Sequence, residues 1–406
     1  MWIYYFFAVI VVLQGLASLK GGYRFLKYVQ RESKKPLSTY APFATIVLPC
    51  RGLDQGLKEN LSAYYLQQYP AYEIIFVIDK VDDPALQFIN QARNQFPDQT
   101  FLKSRIVIAG EAVDCGQKVH NLRAAVSEAS SSSKVFVFAD SDARPNQGWL
   151  VSLISPLEDK RIGGTTGYRW FVPEHGSFGS NLRAVWNASI ASALGDRGDK
   201  NFCWGGATAI RCSTFEKLEV RERWKGTLSD DFALTRALRE ARMPIQFVPA
   251  CLTASLEDCS LKGAIEFTTR QLKITRVYAS HLWKAVLLGS TLFVSVFFGG
   301  IALVITRAFL GLPYALPLAV LCLIFTLGAW KSYLRLRAVR FAMTSPMTER
   351  ALRVRESSLA HLTLWPLASV LFLYNAIVAA FSRRIRWRGI TYELITPNET
   401  VIMRDG

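Results

Sequence analysis

Residues 135–145, Val-Phe-Val-Phe-Ala-Asp-Ser-Asp-Ala-Arg-Pro, decide how the chain is read. A short run of β-branched and aromatic residues predicts a buried strand, ending abruptly in two carboxylates, Asp140 and Asp142, and a proline turn. Positions i and i+2 of a strand point to the same side, so both acids can face one ligand just past the strand's carboxyl end. Open α/β sheets bind ligands in that crevice. Two hard oxygen donors there suit Mg2+ or Mn2+ carrying a diphosphate. The plainer alternative is a strand followed by a solvated acidic turn, and the surrounding chain has to choose between them.

Upstream, apolar strands alternate with helical patterns. Ala44-Thr-Ile-Val-Leu-Pro49 reads as a buried strand leading into the turn Cys50-Arg51-Gly52. Helical patterns follow at Leu57–Gln68, Pro84–Phe96 and Lys118–Ala129, separated by strands at Glu73–Asp79 and Arg105–Ala109. This alternation predicts a doubly wound, mostly parallel sheet flanked by helices. Acidic residues recur at strand ends: Asp79 with Asp82 and Asp83 just beyond it, then Asp140 and Asp142. Downstream, Trp204-Gly205-Gly206 reads as a turn entering a strand, where backbone can approach a ligand closely. Asp230 and Asp231 open an amphipathic helix, where helix-dipole or N-cap chemistry alone would account for one acid but not for both. No G-x-G-x-x-G or Walker loop occurs, so neither a dinucleotide enzyme nor a P-loop NTPase is supported.

The 406 residues suffice for one catalytic-size domain plus appendages. Half of them are hydrophobic, and the mean hydropathy of +0.17 is high for a soluble enzyme. The excess lies at the two ends. Ile3–Leu19 is almost wholly apolar and reads as an anchor (residues 1–22) rather than a cleaved signal peptide, because it lacks a basic leader and a small-residue cleavage site. Lys20, Arg24, Lys27, Arg31, Lys34 and Lys35 follow, and by the positive-inside tendency they hold the next domain in the cytoplasm. Leu282–Ile305 and Phe309–Trp330 read as a spanning hairpin, followed by a basic cytoplasmic loop at 331–358 that includes Arg335, Arg350, Arg353 and Arg355. Leu359–Phe381 is a further apolar run. Read as a span, it would place the basic tail 383–406 outside, against the charge rule, so a re-entrant or interfacial segment with a cytoplasmic tail is the expectation. The net charge of +16 points to an anionic partner. Beside these apolar runs, that partner reads as an anionic lipid bilayer, not nucleic acid. Seven cysteines show no C-x-x-C pair or zinc spacing and read as reduced thiols.

The order of the pieces resembles the family-2-type, nucleotide-sugar-dependent glycosyltransferases, and within them ceramide glucosyltransferase and its bacterial relatives. The likeness rests on Gln68-Tyr69-Pro70-Ala-Tyr72-Glu73, Asp82-Asp83-Pro84-Ala85, Lys118-Val-His-Asn121-Leu122, Asp140-Ser-Asp142, Ser229-Asp230-Asp231-Phe232, and Trp387-Arg388-Gly389 with Tyr392. The resemblance implies a GT-A-type fold in a catalytic domain at 40–280, with a membrane region at 281–382. It implies that Asp79, Asp82 or Asp83 contacts the uracil of a UDP-sugar, and that Lys118 lies near the nucleotide or its phosphates. Asp140 would bind ribose and metal, Asp142 the metal (Mg2+ or Mn2+), and Asp231, with Asp230 beside it, would supply the general base. Where the family carries Gln/Arg-x-x-Arg-Trp, this chain has Arg270-Gln-Leu-Lys273-Ile274. Arg270 and Lys273 keep cations that could hold the diphosphate, but Lys lacks the bidentate fork of Arg, and the aromatic platform is gone.

The expectation is therefore an integral membrane protein, as in a bacterial inner membrane, with its catalytic domain on the cytoplasmic face. It would transfer a hexose, glucose first, from a UDP-sugar to the hydroxyl of a membrane lipid acceptor. A processive polysaccharide synthase is the enzymatic alternative, disfavoured by the altered Arg270–Ile274 segment and the few spans. A non-catalytic scaffold retaining the fold is the other.

Overall fold

A computed structural model describes residues 1–343 and 358–403. In chain order the helices are α1 (Trp2–Glu32), α2 (Leu57–Tyr65), α3 (Ala85–Gln95), α4 (Gln117–Ser127), α5 (Trp149–Ile154), α6 (Phe178–Ala191), α7 (Cys212–Lys217), α8 (Val220–Arg223), α9 (Asp230–Glu240), α10 (Leu261–Tyr278), α11 (Ser280–Phe309), α12 (Ala315–Met343), α13 (Ser358–Thr363) and α14 (Trp365–Phe381). The strands are β1 (Ala44–Pro49), β2 (Tyr72–Ile78), β3 (Leu102–Ile108), β4 (Val135–Ala139), β5 (Gly164–Phe171), β6 (Ala207–Arg211), β7 (Ile245–Ser255), β8 (Arg384–Trp387), β9 (Ile390–Thr396) and β10 (Glu399–Met403).

The chain divides into two compact units. One comprises Arg31–Trp170, Ala193–Leu256 and Arg383–Gly406; the other comprises Met1–Gln30, Phe171–Ser192 and Glu257–Ser382. The first is built on a seven-stranded sheet in the order β3-β2-β1-β4-β6-β5-β7. β1 pairs in parallel with β2 and β4, and β2 with β3, as the alternating pattern predicts. Every residue of β2 and β4 is buried, which is why they read as continuous apolar runs rather than alternating ones. β6 runs antiparallel to both β4 and β5. Leu122, Phe136, Phe138, Phe215, Trp224 and Leu238 belong to a core cluster packed on this sheet. The tail expected at 383–406 is a second, antiparallel sheet, β10-β9-β8, within the same unit.

The second unit carries the apolar helices. α1, α11 and α12 are each long and apolar enough to cross a membrane. α1 continues beyond the expected anchor to Glu32, and the expected loop at 331–358 begins as helix, because α12 runs on to Met343. The remainder of that loop, with Arg350, Arg353 and Arg355, lies outside the described residues. Ala8 and Val11 of α1 pack with Val296, Phe297, Leu321 and Ile324 of α11 and α12. The run at 359–381 is broken at Leu364 into α13 and α14, with Pro366 in the first turn of the latter, where a proline is tolerated. The last turns of α14 lie beside the junction of α10 and α11: Trp283 Nε1 donates to the Ala376 carbonyl at 3.0 Å, and Arg276 to that of Ala379. The first turn of α14 lies further along α11, Trp365 stacking near Phe293 and Phe297. Two stretches inside the expected 40–280 domain, Phe171–Ser192 and the α10 region, group with this second unit.

Candidate functional site

The strand order turns around between β1 and β4, so their carboxyl ends open a crevice at the sheet's switch point. Loops from both strands lock together there. Ser141 Oγ donates to Asp54 at 2.7 Å, Asn60 Nδ2 donates to the Ser141 carbonyl at 3.1 Å, and the buried Tyr64 hydroxyl donates to the Asp140 carbonyl at 2.9 Å. These bonds hold the Asp140-Ser-Asp142 turn from below.

The carboxylates above it are tied by two cations. Lys118, from the first turn of α4, donates to Asp140 Oδ1 at 2.7 Å and lies 3.5 Å from Asp230 Oδ1. Arg169, on β5, spans the pair, with nitrogens 3.1 Å from Asp140 and 3.1 and 3.2 Å from Asp142. Its guanidinium also lies 5.1 Å from the centre of the Trp204 ring, a cation–π distance. Burial works against the charge on Asp140, but Lys118 and Arg169 overcome it and hold that carboxyl below its ordinary range. Burial also opposes the Lys118 charge, and there Asp140 and Asp230 win, raising its pKa. Asp230 goes the other way. Burial above all, with Asp231 and Asp140 adding repulsion against the pull of Lys118, pushes it up to about 7.

Asp230 and Asp231 enter through the first turn of α9, as the sequence predicts. Asp230 is 5% exposed and turns toward Lys118. Asp231 is less buried, and its Oδ1 accepts from the Ser229 hydroxyl. The Gly205-Gly206 turn needs its glycines. A Cβ on Gly205 would stand 2.6 Å from both Asp230 and Lys118, and one on Gly206 would stand 2.7 Å from Asp140. Gly205 admits the acidic cluster to the backbone, and Gly206 admits the Trp204 ring, which would lie 2.2 Å from such a Cβ, as well as Asp140.

The three acids after β2 part company. Asp79 is 4% exposed and ion-paired to Arg51. Asp83 accepts from the Gly52 and Ala85 backbone N–H groups at 3.0 and 2.8 Å, so it caps the start of α3 and pins the loop after β1. Asp82 is exposed. Arg270 and Lys273 lie on α10 in the other unit, with the Arg270 guanidinium 5.4 Å from the Phe267 ring centre and Lys273 Nζ 3.2 Å from Ser382 Oγ.

Sequence reasoning missed four side chains of this crevice. Arg169 sits on a strand that was not predicted, although Gly164-Thr-Thr-Gly-Tyr-Arg-Trp-Phe171 is rich in β-formers. Arg51 and Asp54 were given no role, and Arg388 was quoted only for the resemblance, because their meeting is tertiary. Trp387-Arg388-Gly389-Ile390 is a two-residue hairpin turn with φ of +50° at Arg388 and +81° at Gly389. Such turns favour Asn or Gly at the first position, so Arg there is held at a cost of roughly 1–2 kcal/mol. Arg388 donates to Asp54 at 2.5 Å and to the Arg51 carbonyl at 3.0 Å. In turn, Arg51 Nε donates to the Arg388 carbonyl at 3.1 Å. The Tyr392 hydroxyl accepts from the backbone N–H of Gln117, at the head of the helix that carries Lys118.

Three cations, Lys118, Arg169 and Arg388, face five carboxylates, Asp54, Asp140, Asp142, Asp230 and Asp231. The excess of negative charge, the hard oxygen donors and the glycine-lined opening fit a divalent cation bound through one or two carboxylates plus substrate phosphates.

The family model described as Glycosyl transferase family 21 matches residues 3–400. Two ceramide glucosyltransferases of Caenorhabditis elegans, numbered 3 and 1, are 27% and 26% identical over 81 residues, which is 20% of this chain. The match spans only 17% of the length of these relatives. Among solved structures, a mannosyltransferase from Pyrobaculum calidifontis in complex with GDP-Man and Mn2+ is similar with a TM-score of 0.47 at 16% identity, covering 92% of this chain and 99% of that one. A glucosyl-3-phosphoglycerate synthase from Mycobacterium tuberculosis gives 0.37 at 13% identity, covering 62% and 82%.

Proposed function

The chain belongs to glycosyl transferase family 21, and from that premise we propose that it is a membrane-bound inverting transferase moving a hexose, glucose first, from a UDP-sugar to a lipid hydroxyl. The observation that carries the reading is the acidic crevice at the switch point, where Asp140, Asp142, Asp230 and Lys118 converge from three separate elements. A stray acidic turn would not be buttressed by Tyr64, Asn60 and a glycine pair.

In this reading Asp140 and Asp142 would hold a divalent ion, which would supply positive charge to a diphosphate leaving group. Lys118 and Arg169 keep Asp140 ionised, Arg169 aligns it with Asp142, and their charges add to those facing the departing phosphates. Asp231 takes the acceptor hydroxyl's proton as that oxygen attacks the sugar carbon. Asp230, pushed up to about 7, sits between Asp231 and Lys118 and tunes the field around the base. One of Asp79, ion-paired to Arg51 at the end of β2, Asp82 and Asp83 would meet the base of the nucleotide. Arg388 and Tyr392 bring the tail sheet against the same loops, making it part of the donor site's wall.

The membrane side follows from chain order. The residues on both sides of the apolar helices, up to Leu256 and from Arg383, build one unit, so the chain must leave and return on one face. The α11–α12 hairpin does so, and α14 then serves as a re-entrant helix ending beside the α10–α11 junction. The basic residues in and after the second half of α1 support a cytoplasmic location for that face.

Incubating the purified protein with UDP-glucose, Mg2+ or Mn2+ and a panel of hydroxyl lipids that includes ceramide tests the proposal. Transfer of labelled glucose to at least one lipid is expected. Absence of transfer to every lipid, together with absence of UDP-glucose binding, overturns it. Asp142→Ala is expected to lose the metal-dependent part of UDP binding, and equal UDP affinity in both proteins would refute the metal role.

A further inference from the structure

Within the unit that holds the long apolar helices lies a cavity of about 230 Å3, formed by α1, α6, α11, α12 and α14. One end is apolar, walled by Ile324, Leu327, Phe293 and Trp365. The other end is polar and carries Lys331 and Arg335, with Ser18 and Ser332. On α12 the two cations are four residues apart and therefore share a face. Arg335 is 6% exposed, and its Nε has no hydrogen-bond partner. Lys331 donates to Ser18 at 2.5 Å. Among the described residues neither cation is paired with a carboxylate, whereas each cation of the acidic crevice is.

Unpaired cations lining a cavity inside a helical bundle call for an anion from outside the chain. A free phosphate would meet the cations and leave the apolar half wet. A neutral lipid would fill the apolar half and leave two charges unmatched. We propose that the cavity binds one anionic phospholipid, its phosphate between Lys331 and Arg335 and an acyl chain running toward Leu327 and Trp365. Gly328 lets the Trp365 ring lie so close that a Cβ there would stand 2.3 Å from it. The inference rests on the membrane reading of the three long helices and not on the transferase chemistry.

The test uses the full chain, delipidated in detergent, with phosphatidylglycerol, phosphatidylcholine and inorganic phosphate as probes. Phosphatidylglycerol is expected to raise the unfolding midpoint by about 3 °C or more above the effect of phosphatidylcholine, as any ligand specific to the folded state does. Native mass spectrometry should retain one such lipid per chain, and the Lys331→Met/Arg335→Met double variant should lose both effects. In the absence of lipid that variant should unfold at a higher temperature than the parent, because the buried Arg335 and half-buried Lys331 charges, neither paired with a carboxylate among the described residues, are gone. Leu327→Trp, which fills the apolar end and keeps both cations, should also abolish lipid retention, and it serves if the double variant does not fold. Equal shifts with the two lipids, a phosphatidylglycerol shift that survives in the double variant, or an equal shift with inorganic phosphate alone would each overturn the assignment.

Discussion

At Asp140 buried carboxylates find their cations within the chain, whereas at Lys331 and Arg335 the cations find no carboxylate among the described residues. Both places take charge out of water, which is unfavourable unless the charge is matched. The crevice matches it with Lys118 and Arg169, held by α4 and β5, and keeps a surplus of negative charge for a bound cation. The membrane cavity leaves its match to a ligand. The difference teaches that a self-completed ion network marks a site that must keep its shape before substrate arrives. An uncompleted one marks a site whose shape depends on its occupant.

The largest effect should come from a change that touches chemistry and leaves the network whole. Asp231→Asn is expected to lower the transfer rate about 10^2- to 10^4-fold, the usual worth of a general base, with UDP affinity unchanged by calorimetry. A variant that loses UDP binding along with transfer would make Asp231 part of the scaffold instead. Next, Lys118→Met leaves Asp140 and Asp230 without their shared partner and should destabilise the protein by on the order of 3 kcal/mol in thermal unfolding. The sign is opposite to that expected for Lys331→Met/Arg335→Met without lipid, and matching signs would erase the contrast between the two regions.

A smaller effect should appear in the pH dependence. Asp230 has its folded pKa near 7, above the unfolded value of about 3.9, so the folded state binds the proton more tightly. Its contribution therefore favours folding at low pH and is lost as pH rises from about 4 to about 7. The midpoint difference between the parent and Asp230→Asn should fall across that window and stay flat above it; a constant difference from pH 4 to 8 would remove Asp230 from this role. The smallest change should be Arg388→Ala. It frees Asp54 from one partner but leaves Ser141, and Arg388 is about a third exposed, so about 1 kcal/mol or less is expected. A rise in KM for the UDP-sugar larger than any fall in kcat would identify the tail as part of the donor wall.

Much of the crevice was legible before any coordinates. Asp140, Asp142, Lys118 and the Asp230-Asp231 pair were all named from strand ends, helix starts and motif order, because those signals are local. Arg169 was not, since which face a strand residue takes depends on the sheet it joins. Arg388 was quoted for its resemblance alone, and its partner Asp54 lies 334 residues away. Arg270 and Lys273 were assigned to the diphosphate by motif position; they lie on α10, which groups with the unit of the long apolar helices. The loop expected from Lys331 onward turned out helical to Met343, because a row of basic residues is as compatible with a helix leaving a membrane as with a loop.

By itself, then, the sequence determined the parallel half of the sheet, the acids at its carboxyl edge and the long apolar helices. Each of these depends on a repeat of 2.0 or 3.6 residues or on the length of an apolar run, and neighbours in sequence suffice to express it. Only the tertiary structure decided that the tail returns as a three-stranded sheet bonded to the loop after β1 and the head of α4, that 359–381 is broken into two helices of which the second lies beside α11, and that Arg169 and Lys118 share Asp140. Those are pairings between distant segments. Their energy comes from matching buried charge and closing long loops, and no local pattern carries that information.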